Sequence, residues 1–165
     1  MIFLTVGTQF PFDRLVKAID DWLDDHPLDE EVFAQIGESV YKPRHFDAVV
    51  SLDKSAFDRR FQDASGVISH AGMGTITMAL DNGKALLAMP RLKKHGEVVS
   101  DHQVALAEQF EALGHLLVAR DETELSDRIP QLRSFVPRPR RADPGAVAQR
   151  IADFLGSLCA KNEIA

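Results

Sequence analysis

At 165 residues, with 45% hydrophobic and 27% charged side chains, the chain has the length and make-up of one soluble domain with a buried core. A net charge of −6 excludes nonspecific nucleic-acid binding, which needs a basic footprint. The single cysteine, Cys159, excludes an internal disulfide and any multi-cysteine metal site.

The first six residues have neither a basic n-region nor a cleavage site, and no apolar run approaches the ~20 residues of a membrane span. A cytoplasmic location is therefore expected. Ile2 to Val6 is an apolar, β-rich run that stops at Gly7-Thr8, predicting a buried strand that feeds a loop. Phe12, Leu15, Val16, Ile19, Trp22 and Leu23 recur at helical spacing opposite Asp20, Asp21, Asp24 and Asp25, predicting an amphipathic helix entered through Pro11. Val32 to Ile36 reads as a second strand and Ala48 to Leu52 as a third, with a modest helical stripe at Phe57, Phe61 and Ala64. Gly66 to Ser69 is the next strand.

A glycine-punctuated turn follows, Ser69-His70-Ala71-Gly72-Met73-Gly74-Thr75, and then a helix with Ile76, Ala79 and Leu80 on one face. Ala85 to Met89 is a buried strand, and Arg91 to Ser100 is a polar, basic loop without periodicity. Leu106, Ala107, Phe110 and Leu113 mark another helix, and His115 to Ala119 another strand. Asp121 with Glu124 resembles a capping box, opening a helix that buries Leu125, Ile129 and Leu132. Residues 134–145, rich in proline and arginine, read as a linker, and 146–160 as a last helix with Val147, Ile151, Phe154, Leu155 and Leu158 on one stripe.

Apolar strands alternating with helices predict an α/β fold, a Rossmann-like parallel sheet with helices on both faces, in one domain over 1–165. Ligands of such sheets bind beyond the C-terminal strand ends. The loops at Gly7 to Gln9, Gly37 to Ser39, Ser69 to Thr75 and Arg91 to Gln103 are thus expected along one edge.

Gly72 and Gly74 let a backbone approach a ligand closely, and the helix that starts there points free N–H groups at it, which suits a phosphate. The dinucleotide fingerprint is not met, because Thr77 holds the third glycine position. The phosphate-loop pattern also fails, since Ala85 follows Gly83-Lys84. His70 is either a donor to a phosphate or sugar hydroxyl, or a capping or core histidine. Gly7-Thr8-Gln9 is either a second such approach or a plain turn. Arg91, Lys93, Lys94 and His95 form a basic run that either holds a diphosphate or an acidic sugar, or is solvated. Glu97, Asp101, His102 and Gln103 are the polar groups placed to read sugar hydroxyls, with Asp101 alternatively an N-cap. No metal site is expected, His95 and His102 being isolated from other ligands.

Met1-Ile2-Phe3-Leu4-Thr5-Val6-Gly7-Thr8-Gln9-Phe10-Pro11-Phe12, Ser69-His70-Ala71-Gly72-Met73-Gly74-Thr75, Gly83-Lys84, Met89-Pro90-Arg91 and Asp101-His102-Gln103 stand in one order. In that order, over about residues 1–120, they resemble the glycosyltransferase family 28 C-terminal domain. Within it the chain is similar to the PssE-type bacterial exopolysaccharide glycosyltransferase subunit and to the catalytic subunit of the eukaryotic transferase that adds the second GlcNAc to a dolichol-linked sugar. The resemblance implies the donor-binding half of a GT-B enzyme, with a UDP-sugar as substrate and no cofactor. It also implies a membrane-associated PssD-type partner that binds the lipid-linked saccharide acceptor at the inner face of the cytoplasmic membrane. By resemblance, Gly7 and Thr8 lie near the diphosphate, His70, Ala71, Gly72, Gly74 and Thr75 form the phosphate-facing turn, and Asp101, His102 and Gln103 face the donor sugar. The family's ribose-binding glutamate, eight residues after the motif histidine, is Met78 here. Ribose recognition then falls to another residue, with Glu97 the candidate, or nucleotide affinity of the isolated chain is weak.

The expected function is inverting glycosyl transfer from a UDP-sugar to a lipid-linked saccharide. His70 and backbone N–H groups would stabilise the departing UDP, and the general base would come from the partner. Arg91, Lys93 or Lys94 would pair with the carboxylate of a glucuronosyl donor. The alternatives are a noncatalytic accessory subunit, favoured by Met78, and a stand-alone nucleotide sensor. The last helix either docks the partner or packs on its own sheet.

Overall fold

The computed structural model describes residues 1–140 together with Gly145 and Gln149. Six strands, β1 (Ile2–Thr5), β2 (Val32–Gln35), β3 (Asp47–Val49), β4 (Gly66–His70), β5 (Leu86–Met89) and β6 (Leu117–Val118), form one sheet in the order β3-β2-β1-β4-β5-β6, every neighbouring pair parallel. Five helices connect them: α1 (Asp13–Asp25), α2 (Lys54–Asp63), α3 (Met73–Asp81), α4 (His102–Ala112) and α5 (Glu122–Leu132). The chain winds outward in one direction from β1 to β3 and in the other from β4 to β6. The loops after β1 and β4 therefore diverge to opposite faces and leave a crevice at the C-terminal strand ends.

Residue alternation along the strands divides the core between the faces. Ile2, Leu4, Val6, Ile68, Leu87 and Met89 meet Phe12, Leu15, Val16 and Ile19 of the α1 segment and Leu125, Ile129 and Leu132 of α5. Phe3, Phe33, Val67, Leu86, Ala88 and Val118 meet Phe61 of α2, Ile76, Ala79 and Leu80 of α3, and Ala107 of α4. With both faces covered, the strands need the near-continuous apolar composition read in the sequence.

The structure departs from the sequence expectations at the periphery. β3 is an edge strand one residue earlier than expected, and beyond it the Val49 and Val50 carbonyls still accept from the Ile36 and Gly37 N–H groups, at 2.9 and 3.0 Å. β6 shrinks to two residues. α4 buries Ala107 but leaves Leu113 exposed just past its end. The Asp121 carboxylate caps α5 by accepting from the Glu124 N–H at 2.9 Å. Glu124 does not complete a reciprocal box: its carboxylate accepts from the N–H of Arg120, at 3.0 Å, one residue before the cap. Residues 134–140 form no helix or strand. The expected helix over 146–160 lies, Gln149 aside, outside the described residues.

No helix joins β2 to β3, and the connection is held instead by a buried carboxylate. Asp20 of α1, fully buried, accepts from the Tyr41 hydroxyl at 2.6 Å, from the Arg44 and His45 N–H groups at 2.9 and 2.8 Å, and faces His45 Nδ1 at 3.2 Å. Burial alone would raise its pKa, but these hydrogen bonds outweigh that and hold it below the usual carboxylate value. The same bond pushes the Tyr41 hydroxyl up to about 12. Asp20→Asn sets an amide NH2 against buried donors and is expected to lower unfolding free energy by roughly 2–3 kcal/mol, and Tyr41→Phe by about 1 kcal/mol. Urea denaturation measures both; an Asp20→Asn protein as stable as the wild type would refute the assignment.

Candidate functional site

A cavity of about 630 Å³ fills the crevice between the two halves of the sheet. Gly7, Thr8, Gln9 and Phe10 line it from the loop after β1. His70, Gly72, Met73, Gly74, Thr75 and Met78 line it from the end of β4 and from α3. Arg91, Val98, Val99, His102 and Gln103 line it from the segment after β5, and Phe57 from α2. Three of the four expected loops thus share one cavity. The fourth, at Gly37 and Ser39, lines a neighbouring cavity of about 400 Å³ with Tyr41, Val49 and Val50.

The start of α3 is an open donor array. Gly72 supplies no side-chain cap, and the Ile76 N–H bonds to the Gly72 carbonyl at 3.1 Å. The N–H groups of Met73, Gly74 and Thr75 precede the helical ladder, and all three residues line the cavity at the positive end of the helix. The glycines of this region serve two ends. A Cβ at Gly72 would lie 2.2 Å from His70 Nε2, and one at Gly7, whose φ is +76°, 2.8 Å from His70 Cε1. These two glycines make room for the imidazole. At Gly74 a Cβ would meet nothing within 4 Å.

His70 sits between the two turns with its Nδ1 3.2 Å from the Ser69 hydroxyl. Burial, and then the nearby Arg91 charge, push its pKa down to about 4, against a hydrogen bond with the Thr5 backbone. At neutral pH it is an uncharged ring with one donor and one acceptor nitrogen.

Arg91 is not the solvated cation of a basic run, although it lines the cavity. It is 3% exposed, and its Nη2 donates to the Val6 carbonyl at 2.7 Å and the Phe10 carbonyl at 2.5 Å. Its guanidinium lies 5.1 Å from the centroid of the Phe12 ring. Its Nε is the one buried side-chain nitrogen or oxygen without a partner among the described residues, and burial lowers its pKa to about 10. Lys93, Lys94 and His95 form an exposed 3-10 turn outside the cavity lining. His95 instead lines a small cavity beside Arg14 and Glu97.

The expected sugar-reading residues separate. His102 and Gln103 line the cavity. Gln103, nearly buried, accepts the Arg91 N–H at 3.1 Å through its Oε1, leaving its NH2 as the free donor. Glu97 is turned away: its two oxygens take Arg14 Nε and Nη2 at 2.8 and 2.9 Å, and the Leu92 N–H at 2.8 Å. It does not stand in for the carboxylate missing at Met78. Asp101 occupies the N-cap position of α4 without capping it, and accepts the Lys93 N–H at 2.7 Å instead. Ala71 is fully buried behind the turn.

Sequence reasoning missed the apolar part of the lining: Phe10, Phe57, Met73, Val98 and Val99. Phe57 was legible only as part of a core stripe. It does pack on Phe3, ring centroids 5.3 Å apart, while its other side meets the cavity. None of the lining residues carries a carboxylate.

Two consequences are measurable. Gly72→Ala should lower stability by roughly 1–3 kcal/mol by displacing the ring, whereas Gly74→Ala should leave it unchanged or raise it by up to about 1 kcal/mol. The depressed His70 pKa means that the unfolded chain binds a proton which the folded chain refuses between about pH 6.5 and 4. Relative to His70→Asn, the wild type should therefore lose stability as pH falls through that window, by about 3 kcal/mol in full. Parallel denaturant curves for the two proteins would contradict the neutral, buried ring.

Comparison with known proteins agrees with this geometry. The model of the glycosyltransferase family 28 C-terminal domain matches residues 1–155. The UDP-N-acetylglucosamine transferase subunit ALG13 of Homo sapiens is 31% identical over 124 residues, covering 70% of this chain and 10% of that protein. The chain thus spans about a tenth of that relative's length. Among solved structures, MurG of Acinetobacter baumannii superposes with a TM-score of 0.61 at 19% identity, over 81% of this chain and 42% of that one. The solution structure of ALG13 superposes with a TM-score of 0.56 at 18% identity, over 91% of this chain and 93% of that one. These likenesses show the fold, the Rossmann-like architecture of GT-B glycosyltransferases. The chain belongs to the glycosyltransferase family 28 C-terminal domain family.

Proposed function

We propose that this chain is the UDP-sugar-binding subunit of a two-component inverting glycosyltransferase that extends a lipid-linked saccharide in exopolysaccharide biosynthesis. The observation that carries the reading is the α3 turn, where Met73, Gly74 and Thr75, whose N–H groups precede the helical ladder, line the cavity and Gly74 leaves its approach clear. Such a turn suits a diphosphate. A relative described as a UDP-N-acetylglucosamine transferase subunit supports both the nucleotide and the need for a second chain. The complementary acceptor-binding half would be a membrane-associated PssD-type subunit, which brings the complex to the cytoplasmic face of the membrane.

In the proposed reaction an acceptor hydroxyl attacks the anomeric carbon, the bond from that carbon to the UDP oxygen breaks, and negative charge grows on the departing diphosphate. The α3 N–H groups and the Thr75 hydroxyl are preorganised for that charge. His70 contributes a hydrogen bond rather than a positive charge in the free chain, and a bound diphosphate would raise its pKa from about 4. Because no carboxylate lines the cavity among the described residues, the base that accepts the acceptor proton is assigned to the partner. A glucuronosyl donor depends in this reading on Arg91, the only lysine or arginine on the lining, whose Nη2 already serves two carbonyls.

Calorimetric titration of UDP into the chain, alone and with its partner, tests the reading. Gly74→Val should abolish UDP binding with the fold intact, and His70→Ala should weaken it about tenfold, the loss of one hydrogen bond near a charge. Transfer assays with UDP-glucuronate, UDP-glucose and UDP-GlcNAc rank the donors, and equal or absent turnover of glucuronate removes the glucuronosyl version. The second reading is a noncatalytic accessory subunit, favoured by Met78 where the family's ribose carboxylate stands. Absence of UDP binding in the complex, or transfer unchanged by both substitutions, would decide for it.

A further inference from the structure

Two arginines lie over one aromatic ring. The guanidinium carbons of Arg14 and Arg91 stand 5.2 and 5.1 Å from the centroid of Phe12. Their electrostatic situations are opposite. Arg14 holds Glu97 with two nitrogens and reaches Glu122. Burial alone would lower its pKa, but the two carboxylates outweigh that and raise it. The Arg91 side chain bonds only to neutral carbonyls, those of Val6 and Phe10, and Glu97 acts on it without an ion pair. Burial prevails there and pulls the pKa down to about 10, which still leaves a cation at neutral pH.

Carbonyls satisfy N–H groups but do not neutralise a charge, and a neutral donor would bridge them at lower desolvation cost. Arg91 is 3% exposed, and its Nε has no partner among the described residues. It lines the same cavity as Met73, Gly74 and Thr75 at the start of α3. Its charge is felt at that turn. After burial, it is the second cause of the lowered His70 pKa, and a Cβ at Gly72 would stand 2.2 Å from His70 Nε2. An uncompensated cation and the positive end of a helix thus border one space.

We infer that Arg91 is held as a cation for the ligand: the diphosphate that enters this cavity is its counter-ion, and through that charge the site selects a nucleoside diphosphate over the bare nucleoside. The inference rests on the nucleotide-sugar reading given above and assigns within it the residue that answers the ligand's charge. Nη2 stays on the Val6 and Phe10 carbonyls, so one side chain both positions the loop after β1 and supplies the charge.

The test is titration of uridine, UDP and UDP-glucuronate into the full chain, as wild type, Arg91→Lys and Arg91→Gln. A residue that only held the loop would change the uridine and UDP affinities by the same factor. Arg91→Gln should instead lower the UDP-to-uridine affinity ratio by about tenfold or more, and Arg91→Lys should keep most of it. Should Arg91→Gln fail to fold, the wild type decides. Its buried Nε–H gives a resonance of its own, which UDP and inorganic pyrophosphate should both shift. An unchanged ratio in the folded variants, or an Nε–H resonance unmoved while the Gly74 amide shifts, overturns the inference and leaves the site a nucleotide site. A loss confined to UDP-glucuronate, with UDP unaffected, gives the charge to the sugar carboxylate and overturns it as well. If neither UDP nor pyrophosphate moves the Gly74 amide, the nucleotide-sugar reading falls, and this inference with it.

Discussion

The Arg91 guanidinium determines the shape of this site. Arg91 follows β5, its carbonyl acceptors Val6 and Phe10 follow β1, and β4 lies between those strands. The side chain therefore spans the end of β4, where His70 stands. A buried cation is tolerated only when it is bonded. Two carbonyls and the face of Phe12 meet that need, while Nε is left without a partner. Both ends of the loop after β1 are thereby fixed to β5, and a positive charge near His70 adds to the burial that lowers its pKa.

A second arginine acts on the opposite margin. Arg14 of α1 grips Glu97 with two nitrogens, donates to the Pro90 carbonyl at 3.1 Å and reaches Glu122 of α5 at 3.3 Å. A bidentate pair of this kind sets geometry as well as energy. It fixes the middle of the segment after β5, so that Val98 and Val99 face the cavity and α4 begins with His102 and Gln103 on the lining. It also removes from the site one of the two carboxylates that the sequence offered to it; the other, Asp101, is taken by the Lys93 N–H. The result is a cavity rich in donors and free of carboxylates, an environment that favours a polyanion over a cation.

The sheet and its helices were legible because local patterns dictate them. Buried parallel strands are near-continuous apolar runs, and α1, α3 and α5 show stripes at helical spacing whose residues, the partly buried Trp22 apart, are in fact buried. β3 and α4 were read less well, since an edge strand and a helix with one well-buried apolar residue are weakly constrained by the core. The roles of Arg91 and Glu97 were not legible at all. Their partners lie 85 and 81 residues away for Arg91, and 83 for Glu97. An arginine within a run of cations reads as solvated until the carbonyls it serves are known. Phe57 and Met78 were hidden differently, because each combines a core contact with a cavity wall and periodicity reports only the first.

The glycine-histidine turn proves to be composite. Gly7 and Gly72 are explained by the protein itself: a side chain at either would enter the space of the His70 ring. They belong to the fold as much as to any ligand. Gly74 has no such explanation. It has open space around its Cβ position, negative φ, and a place in the first turn of a helix, where a glycine is roughly 0.5–1 kcal/mol less favourable than alanine. Nothing among the described residues offsets that cost. What distinguishes the position is that its N–H and its bare Cα border the cavity beside the N–H groups of Met73 and Thr75. A residue that weakens its own helix without relieving any clash keeps the backbone accessible at the point where it meets the cavity. In this turn the imidazole requires two glycines, and the third leaves the cavity border bare at the start of α3.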